Sequence, residues 1–160
     1  MKNTSIISLF IPCLVDQVYP EIGIAMAKIL NHLGCQLSYN NQQTCCGQPA
    51  FNAGHRDEAR QVAKTFINAF GDTEVVVGPS GSCTAMVKNY YPSLFQGDKY
   101  QEPALLLSKK IFEFSQFIVS HNLTEKISGN FNGRIGFHNS CHSAQELGVK
   151  DEPIRILNRI

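Results

Sequence analysis

The chain has 160 residues, 43% of them hydrophobic, enough for one domain with an ordinary core. Its net charge of +1 provides no field for nucleic acid or an anionic membrane surface. No run approaches the ~18 apolar residues of a spanning helix, and Pro12 interrupts the first apolar stretch too soon for a signal sequence, so a soluble cytoplasmic protein is expected.

Residues 6–11 read as a strand ending at Pro12 and Cys13. Pro20 and Glu21 open a helix, where the proline's missing N–H is harmless. Ile22, Met26, Ile29, Leu30 and Leu33 mark its apolar face, and Gly34 ends it. Residues 36–39 form a short strand, and the polar residues 40–44 lead into Cys45, Cys46 and Gly47. A second amphipathic helix follows Asn52, with Ala59, Val62, Ala63, Phe66, Ile67 and Phe70 at helical spacing. Residues 74–77, apolar without alternation, fit a strand buried on both faces. Residues 78–82 make a tight turn, and a helix runs from Cys83 to Tyr90 before Pro92 stops it. Pro103 opens a longer helix whose face is Leu107, Ile111, Phe114 and Ile118. Residues 126–133 are a Gly/Asn-rich linker, residues 134–138 another strand, and Cys141 heads a short helix.

Strands alternating with helices predict an α/β fold, a parallel sheet covered by helices on both faces. Ligands gather at the carboxyl ends of such strands, where Cys13, Cys83 and Cys141 fall. Residues 8–13 and 135–141 repeat one pattern of strand, turn, cysteine and helix. The expected organisation is one complete unit over residues 1–125. Residues 126–160 then form a linker and the opening strand and helix of a second unit that is cut short.

The cysteines carry the chemistry. In the chain, 31 residues separate Cys13 from Cys45, and 36 separate Cys46 from Cys83. An α/β core of this size needs no staples, and vicinal cysteines pair with each other only by distorting the peptide between them. Four thiols delivered from strand ends and a turn can converge on an iron–sulfur cluster or a metal ion. Gly47, Gly78 and Gly81 would let backbone N–H groups approach sulfur, and Cys83 near a helix N-terminus would be favoured as a thiolate. Cys35, outside the pattern, reads as a small core residue, and Cys141 as either a ligand or idle. His138 and His142 suggest a mixed Cys/His site or simple lining of a cleft. Residues 78–82 lack the Gly-Lys-Ser/Thr ending of a phosphate loop, and Ser80 and Ser82 have no local base for hydrolysis. The residues alone leave three readings open: electron transfer, a zinc-held structural module, and thiol–disulfide exchange through Cys45 and Cys46.

Four segments carry a family resemblance. They are Phe10-Ile11-Pro12-Cys13-Leu14-Val15-Asp16, Gln43-Thr44-Cys45-Cys46-Gly47-Gln48-Pro49-Ala50, Gly78-Pro79-Ser80-Gly81-Ser82-Cys83 and Ser140-Cys141-His142. Together they resemble the cysteine-rich CCG domains of heterodisulfide reductases, of the iron–sulfur subunits of glycolate and glycerol-3-phosphate oxidation, and of lactate-utilisation proteins. The resemblance implies an iron–sulfur electron-transfer subunit in a complex oxidising L-lactate, or another 2-hydroxy acid such as glycolate, to the keto acid. It further implies a cluster, of the 4Fe-4S type, on Cys13, Cys45, Cys46 and Cys83. Gly47, Ser80 and Gly81 would line it, and Cys141 would belong to a second repeat. The family motif ends Cys-x-x-Cys; here Ser80 holds the earlier position, leaving four thiols where some relatives use five. Further iron–sulfur and accessory subunits are the implied partners. No flavin or nicotinamide fingerprint is present, so the acid is expected to be oxidised elsewhere than in this chain. Apolar surface left over from an incomplete second unit would favour a homodimer.

Overall fold

A computed structural model describes residues 6–160. Its sheet has four parallel strands, β1 (Ile6–Leu9), β2 (Gln36–Tyr39), β3 (Val75–Gly78) and β4 (Ile111–Glu113), in the order β2-β1-β3-β4. Ile7 pairs with Leu37 on one side and Val75 on the other, and Val76 pairs with Ile111. The helices are α1 (Cys13–Val18), α2 (Pro20–His32), α3 (Gln48–Asn52), α4 (Arg56–Phe70), α5 (Gly81–Ala85), α6 (Tyr91–Leu94), α7 (Gln101–Lys110), α8 (Phe114–Ser120) and α9 (Glu152–Leu157). This is the α/β architecture that the alternating pattern predicts.

Strand alternation splits the core into two layers. Val76 and Ile111 face α4, α6 and α7, together with Phe10, Phe66, Phe70, Tyr91 and Leu107. Ile7, Leu9 and Val77 face the other way, onto Met26, Leu30 and Leu33 of α2 and Phe117 and Ile118 of α8. From β1 the chain places β2 on one side and then returns to place β3 on the other. A crevice therefore opens between the carboxyl ends of β1 and β3, the position at which open parallel sheets bind ligands.

The long helix expected after Pro103 is two helices with a strand between them. Leu107, Ile111, Phe114 and Ile118 fit a helical stripe, but Ile111 and Phe112 point to opposite faces of the sheet and β4 pairs with β3. Completing the sheet outweighs helical periodicity here. Glu113 then starts α8, its carboxylate accepting from the backbone N–H groups of Ser115 (2.9 Å) and Gln116 (3.1 Å). Glu113→Ala is expected to cost about 1 kcal/mol, read as a lowered melting temperature by circular dichroism. An unchanged midpoint would show that the cap contributes nothing.

Pro92 does not stop the third helical run. It sits in the first turn of α6, and a wider π-helical turn, Met86–Tyr90, joins α5 to α6. Such a turn shifts the hydrogen-bond register and accommodates proline's missing donor.

Residues 134–138, expected as a strand, are irregular and exposed and take no place in the sheet. A strand forms only where a neighbour accepts its backbone groups, and these exposed residues pair with none of the four strands. Further along, Leu147 and Val149 close on Ala85, and Ile156 packs against the layer of α2 and α8. Among the described residues no helix is long and apolar enough to cross a membrane.

Candidate functional site

The crevice between β1 and β3 collects the cysteines. Cys13 begins α1 directly after β1, and Cys83 lies in the first turn of α5 directly after β3. The loop bearing Cys45 and Cys46 is tied to the end of β1 by Gln43. The Gln43 side-chain oxygen accepts from Ile11 N–H at 2.7 Å, and its amide nitrogen donates to the carbonyls of Leu9 (3.3 Å) and Asn40 (2.9 Å). One side chain thus continues the ladder that the backbone abandons, and it brings the second thiol segment against the first. Gln43 reads in the sequence as ordinary polar loop, because nothing local distinguishes a glutamine that pairs with a strand end from one facing water.

Gly47 turns the chain immediately after the cysteine pair. Its φ of 81° is left-handed, and a Cβ there would meet the Ala59 carbonyl oxygen at 3.3 Å. The turn sends Cys45 and Cys46 to different depths: Cys46 is 1% exposed, while Cys45 is half-buried. It also aims the Gly47 N–H at Cys45 Sγ, 3.4 Å away. Gly81 is also a point of close packing. A side chain there would strike Ser143, so this glycine lets α5 pack against the π-helical turn His142–Glu146.

Cys13 Sγ lies 3.6 Å from Cys45 Sγ and donates to it. With its single S–H, Cys46 can donate to one neighbour at a time, Cys45 or Cys83. The four sulfurs neighbour one another in the order Cys13–Cys45–Cys46–Cys83, with the hydrogen bond from Cys13 to Cys45 at one end. That is adjacency rather than a finished cage: among the described residues, no group of three or more His, Cys, Asp or Glu side chains is gathered as a metal-ion site.

Sharing the protons separates the acidities. Cys45 accepts from Cys46 first, then from Gly47 N–H and Cys13, and its thiol is lowered to about 5 against the opposing effect of burial. Cys83 accepts from Cys46, with help from the Ser80 and Ser82 hydroxyls, and falls to about 7. Cys46, which keeps its proton for either of these neighbours and is buried, is driven far upward, and Cys13 is raised by burial and then by its bond to Cys45. Below the pair, the buried Tyr91 hydroxyl donates to the Cys46 carbonyl at 2.9 Å, fixing the peptide that carries the inner thiol. Only the π-helical turn before α6 puts Tyr91 there, so a straight-helix reading of residues 83–90 misses it.

These acidities are directly measurable. In protein stripped of metal, iodoacetamide at about pH 6 should label Cys45 ahead of Cys13, because the lowered thiol is already an anion there. A lowered acid loses its anion as pH falls, so labelling of Cys45 should decline as pH drops through about 5. Peptide mass mapping reads both, and equal labelling of the two cysteines would contradict the assignment.

The remaining expected residues sit apart. Ser80 caps α5, its hydroxyl accepting from Cys83 N–H at 3.4 Å and lying 3.3 Å from the Ser82 hydroxyl. Cys141 is exposed and, among the described residues, shares no hydrogen bond with the four. His142 turns towards Glu146 at 3.7 Å, and His138 lines a separate cavity of about 310 Å³ with Glu113, Asn139 and Ser140. Cys35 packs against the opposite layer, beneath α2 and α8, as a core residue would.

Residues 7–88 match the family model of the cysteine-rich domain, CCG. The chain is 43% identical over 155 residues to lactate utilization protein A of Geobacillus kaustophilus, covering 96% of this chain and 64% of that one. It is also 43% identical to lactate utilization protein A of Oceanobacillus iheyensis, covering 96% and 63%. Identity to lactate utilization protein A 2 of Bacillus cereus is 39%, covering 96% and 64%. The chain therefore spans a little under two thirds of the length of these relatives. No solved structure matches it.

Proposed function

The chain belongs to the cysteine-rich CCG domain family, and from that premise we propose that it is an iron–sulfur electron-transfer component of a lactate utilisation system. The observation that carries the reading is the run of four thiols in the crevice between β1 and β3, with one of them 3.6 Å from the next. Cys13, Cys45, Cys46 and Cys83 would hold the cluster. The donor set fits: a four-iron cluster takes one thiolate per iron, and the four thiols are joined by hydrogen-bond donors such as the Gly47 N–H, Ser80 and Ser82. Bound there, the cluster would supply a one-electron relay.

The chain's own residues set the conditions of that relay. Gly47 and the two serines direct hydrogen-bond donors at sulfur, which raises a cluster's potential by stabilising its more negative state. Tyr91 and Gln43 hold the backbone of the cysteine pair from below and from the side. Cys13, exposed, is the ligand nearest solvent and thus the side from which electrons would enter or leave. The substrate oxidised, L-lactate or another 2-hydroxy acid, would react on partner iron–sulfur or accessory subunits, with self-association of this chain as the other arrangement. Free thiols in this number suit the reducing cytoplasm.

Zinc is the second reading, and one distance favours it. Tetrahedral zinc with Zn–S bonds of about 2.3 Å places its thiolates roughly 3.8 Å apart, close to the 3.6 Å between Cys13 and Cys45. Thiolates on separate irons of a cluster lie further apart, so the iron reading requires the crevice to widen. Anaerobic purification followed by metal and sulfide analysis decides between them. Iron with near-equal acid-labile sulfide and a brown colour is expected; zinc without sulfide would remove the electron-transfer role.

A further inference from the structure

The four thiols divide by depth into a rim pair, Cys13 with Cys45, and an inner pair, Cys46 with Cys83. We propose that, when no metal centre is bound, the rim pair closes into a reversible Cys13–Cys45 disulfide that bars the site from loading. This rests on the reading that the same thiols hold the centre, since a disulfide sulfur cannot be a thiolate ligand.

The geometry selects this pair over the vicinal one. The Cys13 and Cys45 sulfurs are 3.6 Å apart with the Cys13 proton directed at Cys45, so they need approach by only about 1.5 Å to reach the ~2.05 Å of a bond. Cys13 lies on the solvent side, at the start of a six-residue helix that follows a turn, and has room to move. Cys46, by contrast, is sealed in the core, its peptide pinned by Tyr91. Pairing it with Cys45 would twist that pinned peptide.

The oxidant is a small-molecule disulfide such as glutathione disulfide. Cys45 sulfur, supported by the Gly47 N–H at 3.4 Å, attacks one sulfur of the oxidant. A mixed disulfide forms on Cys45, and one small thiolate leaves with the proton that Cys45 gives up. Cys13 then attacks Cys45 Sγ, the second small thiolate departs, and it takes the proton Cys13 gives up. Two protein thiols are oxidised, one small disulfide is reduced to two thiols, and no other reactant is consumed.

The test uses the full chain, stripped of metal anaerobically and treated with glutathione disulfide, then digested without reduction and mapped by mass spectrometry. A peptide joining Cys13 to Cys45 is expected as the main product, and Cys13→Ser should instead keep glutathione on Cys45. A main product joining Cys45 to Cys46, or a glutathione adduct that persists on Cys45 in the unsubstituted chain, overturns the proposal. Iron uptake with added sulfide, before and after dithiothreitol, separates the two readings. If the Cys13–Cys45 link forms yet reduced protein takes up no iron, the functional reading fails and the disulfide stands. If reduced protein loads iron and no link forms, the disulfide fails alone.

Discussion

Cys46→Ser should lower bound iron and acid-labile sulfide by at least about tenfold after anaerobic reconstitution, no less than the loss of an outer hydrogen-bond partner costs a metal site. Cys46 is the thiol with most to lose. It is 1% exposed and lies within reach of both Cys45 and Cys83, between the rim sulfurs and the sulfur on α5. A serine fits the volume and can keep a hydrogen bond, which separates loss of a ligand from loss of the fold. A near-native circular dichroism melt alongside absent iron would identify Cys46 as a ligand. Cys141→Ser, changed at an exposed position outside the chain of four, should load like the unsubstituted protein. Retention of full iron by Cys46→Ser would remove Cys46 from the centre, and a comparable fall in Cys141→Ser would bring that cysteine into it.

The contrast between those two cysteines shows which features are legible in the chain. Cys13 and Cys83 could be placed because each follows an apolar run, and strand ends in a parallel sheet share one edge. Cys45 and Cys46 could be placed because adjacency before a glycine signals a turn. Cys141 follows an equally good run, residues 134–138, yet that run finds no strand to pair with. A sequence pattern reports what a segment could bury; whether a neighbour exists to bury it against is a tertiary fact. The same reasoning explains β4: Ile111 and Phe112 lie within a helical stripe, and only the free edge of β3 makes them a strand. Gln43 and Tyr91 are harder still, because they act through long-range hydrogen bonds, Gln43 across 32 and 34 residues of sequence and Tyr91 across 45.

The largest effect on stability is expected at Phe66. Its ring lies 4.7 Å from Phe10 and from Phe70 and 5.8 Å from Tyr91, edge-on to Phe10 and Tyr91, with no surface exposed. Phe66→Ala should cost about 3–5 kcal/mol, the range for emptying a filled aromatic site. That is a large share of the roughly 5–15 kcal/mol by which a domain is stable, and it should lower the melting temperature by about 10 °C or more. Phe131→Ala, at a position 55% exposed, should stay within about 0.5 kcal/mol. The cavity would also reach the site, because Phe66 packs against the Tyr91 ring whose hydroxyl holds the Cys46 carbonyl. Phe66→Leu, which refills most of the volume, should cost less than about half as much and restore iron uptake more fully than alanine does. Equal metal loading by the alanine and leucine variants, measured well below both melting points, would show that the aromatic layer supports the fold without positioning the thiols.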